Sequence, residues 1–160
     1  MFSLFHTWRF QNSILIRDGV PELDLLNGSA VGSMGGVPRH ELEGRLMVSK
    51  NGLGARAAVN WSAGSDVLVH PGGAPSNDDL RFSSYGKVNL AVFADLGQRR
   101  SLVRAAPFFR SSRLSLSVDN LFDTRPRVTD RTGATPIAYQ ADLMDPVGRR
   151  VELSFRKLFF

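Results

Sequence analysis

The side chains whose types could support chemistry are three histidines, His6, His40 and His70, four aspartates near the end of the chain, Asp123, Asp130, Asp142 and Asp145, and the glycine string Gly52-Leu-Gly54-Ala-Arg-Ala-Ala58. None has the spacing that its chemistry requires. Zinc ligands come in pairs a few residues apart, whereas these histidines stand far apart in the chain. The aspartates do not match a calcium-binding loop and read as turn formers and partners for Arg125, Arg127, Arg131 and Arg149. The glycine string has the GxGxxA form of a dinucleotide fingerprint, with Asp78 and Asp79 downstream, but such a turn must open a helix within a βαβ unit. Asn60, Ser62 and Gly64 end any helix early, and no such unit follows. No nucleophile–base pair or carboxylate pair stands out, and there is no cysteine for a disulfide, a thiolate metal site or a nucleophile. Asn27-Gly-Ser29 and Asn60-Trp-Ser62 match a glycosylation sequon without further support. The expectation is a protein that is not an enzyme and uses no cofactor or metal.

The function therefore has to be sought in the elements that carry these residues. The length of 160 residues is that of one domain. The net charge of +5 comes from arginines spread singly along the chain, apart from Arg99-Arg100 and Arg149-Arg150. Nucleic-acid binding would leave a clustered basic patch, so no nucleic-acid partner is expected. No run of roughly 18 apolar residues, the length needed for a transmembrane helix, occurs. Membrane strands need apolar residues only at alternate positions, so a mean hydropathy of −0.12 does not exclude them. Met1–Phe10 has neither the basic start nor the continuous apolar core of a signal peptide.

A period of two runs through most of the chain. Phe2 to Ile16 alternates around Leu4, Trp8, Phe10 and Ile14, and Arg39 to Ser49 around Leu42, Leu46 and Val48. Lys50-Asn51-Gly52 then supplies the Asn-Gly pair of a type I′ hairpin turn, and Leu53 to Ala63 returns with Val59 and Trp61 on one side. Leu80 to Leu96, Leu114 to Asp119 and Val147 to Phe160 complete about six strands. The Gly/Pro/Asn/Asp-rich stretches 18–37, 64–79 and 122–146 read as long loops, and 50–52 and 97–109 as shorter connections. The expected architecture is all-β, with antiparallel strands running up and down.

One face of such strands carries Trp8, Phe10, Leu46, Val59, Trp61, Phe82, Leu90, Leu116, Leu153 and Phe155. The other carries Arg9, Glu41, Glu43, Arg45, Arg56, Arg81, Lys87, Asp95, Arg113, Asp119, Arg150, Glu152 and Arg156. A barrel wall with lipid on one side produces this division. So does a soluble sheet with one solvated face, and alternation alone favours that reading because soluble antiparallel sheets are commoner.

The stretch Leu114-Ser-Leu-Ser-Val-Asp-Asn-Leu-Phe-Asp123, followed by Asp145-Pro-Val-Gly-Arg149 and a last strand ending Phe159-Phe160, resembles the C-terminal end of TonB-dependent outer-membrane receptors. Val128-Thr-Asp130, Gly133-Ala-Thr-Pro136, Ala138-Tyr139 and Leu143-Met-Asp-Pro146 extend the resemblance, which runs back to His6-Thr-Trp-Arg9. It implies that residues 1–160 are the last strands of a 22-stranded transmembrane β-barrel. It also implies that Val151, Leu153, Phe155, Phe159 and Phe160 form a C-terminal signal read by the barrel-assembly machinery, with Lys157 out of pattern. Arg56, Arg81, Lys87, Arg113 and Glu152 become charges facing the lumen and plug.

The implied function is active uptake of a scarce ligand of the siderophore, cobalamin or oligosaccharide class, in the outer membrane of a Gram-negative bacterium. The implied partners are outer-membrane lipid, the assembly machinery and the remainder of the receptor. TonB would be engaged only through the plug. Plug and signal peptide are expected to be absent, leaving a C-terminal fragment inactive alone. The rival expectations are a small autonomous or oligomeric outer-membrane barrel and a soluble β-sandwich interaction domain.

Overall fold

A computed structural model describes residues 1–32 and 35–159. In chain order the strands are β1 (Phe2–Trp8), β2 (Ser13–Ile14), β3 (Leu23–Asp24), β4 (His40–Lys50), β5 (Leu53–Ser62), β6 (Ser65–Val67), β7 (Leu80–Phe82), β8 (Tyr85–Asp95), β9 (Ser112–Asp119), β10 (Val128–Thr129) and β11 (Arg150–Lys157). Six of them, β1, β4, β5, β8, β9 and β11, form one sheet in that order, every pair antiparallel. Each main strand is beside the one before it, so the expected all-β, up-and-down arrangement is what the chain adopts. The remaining strands make two small sheets, β10-β7-β6 and β2-β3, inside the long connections.

The β4–β5 hairpin shows how local sequence sets register. Lys50 is opposite Leu53, leaving Asn51 and Gly52 as a two-residue turn with φ of 50° and 76°. Both values are positive, as a type I′ turn requires. The glycine string thus lies in a hairpin, not at the mouth of a helix.

Three boundaries differ from the pattern of alternation. β1 stops at Trp8 instead of running to Ile16: Arg9 N–H still donates to Arg39 O, but Val37 N–H, the next donor on the side facing β1, goes to Leu25 O. The alternation from Leu80 to Leu96 is split at Ser83-Ser84, and the first part, β7, pairs with β6 and β10 instead of joining the large sheet. The connection 97–109 contains a short helix, α1 (Arg100–Ala105), between single 3₁₀ turns. The last long loop holds a second, α2 (Ala141–Met144). No helix among the described residues is long and apolar enough to cross a membrane.

The long loops pack together at one end of the sheet. Leu68 N–H donates to Gly28 O, Val37 N–H to Leu25 O, Ser83 N–H to Arg127 O and Arg131 N–H to Asn77 O, so three separate loops are tied to one another. Leu25 and Val128, the buried hydrophobic residues among those described, both lie here. The six-stranded sheet has no comparable core. A compact monomer of 17.6 kDa exposes about 7,900 Å², whereas this chain exposes 11300 Å². Leu4, Val48, Val92 and Leu153, all on one face of the sheet, are 51% to 70% exposed.

Candidate functional site

Register assigns every main-strand side chain to a face, because directly paired residues project to the same side. One row across the sheet reads Phe2, Leu46, Ala57, Leu90, Val118 and Val151, and the row beside it Val48, Ala55, Val92, Leu116 and Leu153. A further row holds Leu53, Ala94, Leu114 and Phe155. This face has no acidic residue, and Lys50 and Lys157 lie at its rim.

The opposite face is held by ion pairs. The Arg113 guanidinium donates to both Asp95 oxygens, at 2.5 Å and 3.0 Å, and lies over the Phe93 ring, 4.7 Å from its centre. Phe93 in turn lies over Gly54, where a Cβ would be 2.2 Å from the ring, so glycine at 54 leaves room for the ring. Arg150 donates to Asp119, Arg9 to Glu41 at 2.6 Å, and Arg45 pairs with Glu43. Charged groups on one side and apolar side chains on the other make the sheet a two-sided wall.

Most of the sequence-derived residues lie where alternation put them. Val151, Leu153 and Phe155 project from the apolar face of β11, all three exposed. Phe159 follows the strand and is also exposed, whereas Phe160 lies outside the described residues. Arg56, Lys87, Arg113 and Glu152 are on the charged face. Arg81 and Phe82 are corrections. Both belong to β7 in the small sheet, where Arg81 is opposite Asp66 and Thr129, and Phe82 meets Tyr139 edge-on at 5.4 Å. Alternation placed them on the wall because it continues through Ser83-Ser84, where the backbone changes sheets.

The structure also brings together residues that sequence reasoning left apart. At the end of β9 the Asn120 side chain is 1% exposed, and its amide donates to Thr124 O while its oxygen accepts from Thr124 N–H. The Thr124 hydroxyl donates to Gly86 O, and Asn120 N–H donates to the Asn89 side chain. Asn120 and Asp123 both take φ of 52°, a conformation that Asn and Asp tolerate better than other residues with a side chain. Asp123 accepts from Arg149 N–H, which joins the two ends of the last long loop. The Asn-Leu-Phe-Asp and Gly-Arg segments, which carry the resemblance at the two ends of the last loop, thus form one clamp, whose hydrogen bonds spacing along the chain did not reveal.

Asp123 and Asp142 both pair with Arg125, one of the expected partners, whereas Asp145 and Asp130 find others. Asp145 pairs with Lys87 at 2.7 Å and accepts from the Tyr85 hydroxyl, in place of Arg149. The Lys87 ammonium holds the Asp145 carboxyl below the ordinary carboxylate range. Arg131 approaches Asp79, whereas Asp130 accepts from Thr132 and from Ala134 N–H. Asp79 is buried and accepts from Val69 N–H at 2.9 Å and Ser76 N–H at 3.0 Å, bonds that lower its pKa.

His6 and His40, distant in sequence, are diagonal neighbours on β1 and β4, with Nε2 and Nδ1 3.2 Å apart. One ring must donate and the other accept. Trp8 lies against His40, and Phe10 against Trp8 at 4.4 Å, giving an aromatic cluster at the loop end of the apolar face. Among the described residues no third His, Asp or Glu joins the two imidazoles to hold a metal ion. No protein-family model, curated protein or solved structure matches the chain.

Proposed function

We propose that this chain is part of the wall of a larger outer-membrane β-barrel, the C-terminal segment of a TonB-dependent receptor for a scarce ligand. The observation that carries the reading is the uncovered apolar face of a sheet whose other face is laced with ion pairs. In water, each large apolar side chain left uncovered forgoes roughly 1.5–3 kcal/mol. In hydrocarbon the same side chains are at home, and an Arg or Lys is instead what costs about 2–4 kcal/mol at the bilayer midplane. The central strands β4, β5 and β8, of 11, 10 and 11 residues, have the length that a tilted membrane strand needs. Trp8 at the loop-side end of β1, Phe10 just beyond it and Trp61 near the loop-side end of β5 fit an interfacial aromatic girdle.

The edges explain why more strands are needed. β1 and β11 each pair on one side only, and unpaired backbone N–H and C=O groups are not tolerated in lipid. In the receptor the remaining strands would close the sheet, the charged face would meet the plug, and the folded loop cap would form part of the outer mouth. Ligand selection would then involve the cap, while energy from TonB would arrive through the plug. Fractionation of urea-washed membranes tests the reading. The chain is expected in the membrane fraction together with the strands that complete it, and recovery as a folded soluble monomer would overturn the proposal.

A further inference from the structure

The apolar face carries an open groove of about 850 Å³ at the end of the sheet away from the loop cap. Its walls include Val48, Ala55, Val92 and Ala94, and Lys50 and Arg99 stand at its margin. The alanines matter because larger residues flank them across the sheet, Val48 and Val92 beside Ala55 and Leu53 and Leu114 beside Ala94, so the surface dips between β4 and β9. The volume falls within the range of sites that take a small organic ligand.

Charge is distributed unevenly around it. The segments 47–53, 93–114 and 155–159 that form this end contain Lys50, Arg99, Arg100, Arg104, Arg110, Arg113, Arg156 and Lys157, but Asp95 is their sole acidic residue. Asp95 is on the opposite face and is engaged by Arg113. Among the described residues, neither Lys50 nor Arg99 takes part in an ion pair. Two unneutralised cations at the water-side end of a hydrocarbon-lined groove match a molecule with a phosphate at one end and an alkyl chain at the other.

We propose that this groove binds an anionic glycerophospholipid, its phosphate between Lys50 and Arg99 and one acyl chain along Ala55 and Ala94. The proposal rests on the lipid-facing reading of the wall and adds a specific lipid and place to it. Ammonium and guanidinium groups give phosphate charge-assisted hydrogen bonds, and basic residues at a membrane surface attract anionic lipid. A zwitterionic lipid fills the groove equally well but carries a compensating positive charge against the same two side chains.

The test uses the full chain, in the assembly recovered from membranes, reconstituted in phosphatidylcholine vesicles. Leu53→Trp, at the groove, is introduced with Trp8→Phe and Trp61→Phe, and its fluorescence is titrated with brominated phosphatidylglycerol or brominated phosphatidylcholine. The expected result is half-quenching at a roughly thirtyfold lower fraction of phosphatidylglycerol, from the contribution of two basic residues near the surface. Lys50→Gln with Arg99→Gln is expected to abolish the preference, and Arg104→Gln with Arg110→Gln, which removes the same two charges outside the groove, to retain it. Equal quenching by the two lipids overturns the proposal, as does a preference that survives the groove double substitution or is lost with Arg104→Gln and Arg110→Gln. Quenching of Trp8 and Trp61 in the parent by brominated phosphatidylcholine separates the two readings. Without it the wall reading and the lipid site fall together, and with it a missing preference at the groove removes the site alone.

Discussion

The loop cap and the sheet wall are held together by different physics, although the chain passes from one to the other several times. The cap buries Leu25 and Val128 and encloses Ser29 and Asp79, with hydrogen bonds linking loops far apart in sequence. The wall has a continuous antiparallel ladder but leaves Leu4, Val48, Val92 and Leu153 uncovered. A cap of this kind gains stability from excluding water within itself. On the proposed reading, the wall's apolar surface is covered by lipid and not by the chain itself. The contrast teaches that backbone order and a buried core are separable.

The largest expected effect breaks the contrast at the wall. Leu90 and Ala91 are neighbours on β8 that project to opposite faces. In a lipid-embedded assembly, Leu90→Arg is expected to lower stability by about 2–4 kcal/mol, while Ala91→Arg stays within about 0.5 kcal/mol, as at an ordinary hydrated position. Urea unfolding in bilayers, followed by intrinsic fluorescence, measures both. Equal small effects would mean that the apolar face meets water, and the wall would lose its distinction from a soluble sheet.

A smaller effect is expected where the two regions join. Asn120→Ala removes the bonds to Thr124 N–H and Thr124 O, leaving buried backbone groups unpaired, at a cost of about 1–3 kcal/mol. The loss belongs to the loop and not the ladder, because β9 and β11 remain paired through Val118 and Val151. Hydrogen exchange is expected to quicken over residues 121–149 and to stay unchanged in β4, β5 and β8. Faster exchange throughout the sheet would show that the clamp organises the wall as well.

The same division governs what could be read in the sequence. The six main strands were legible because a period of two repeats the geometry of the pleat, and the Asn51-Gly52 turn was legible because few residue pairs accept positive φ twice. Arg81 and Phe82 were misplaced because alternation is local and does not say which sheet a strand joins. The cap was invisible for the same reason: β6, β7 and β10 have three, three and two residues, and contacts from distant loops make them strands. The His6–His40 contact and the Lys87–Asp145 pair likewise depend on register and loop packing, which spacing along the chain does not encode.

The smallest expected effect is confined to the cap and depends on pH. Asp79 is held in its charged form by the Val69 and Ser76 N–H groups, which depress its pKa in the folded loop. A depressed carboxylate contributes stability that is present above the unfolded value of about 3.9 and is lost as pH falls through the folded value. The segment 65–80 is therefore expected to be protected from hydrogen exchange at neutral pH and released in acid below the ordinary carboxylate range. In Asp79→Asn the amide cannot carry the charge that these N–H groups and Arg131 favour, so protection is expected to be lower at neutral pH and nearly flat on acidification. Asp24, Asp130 and Asp145 are also held below their ordinary values, by the Asn27 amide, the Thr132 hydroxyl and the Lys87 ammonium first of all. An Asp79→Asn variant that kept the full acid sensitivity of the parent would transfer the effect to those three groups. The acid release would then belong to the whole cap, and not to the single loop that Asp79 closes.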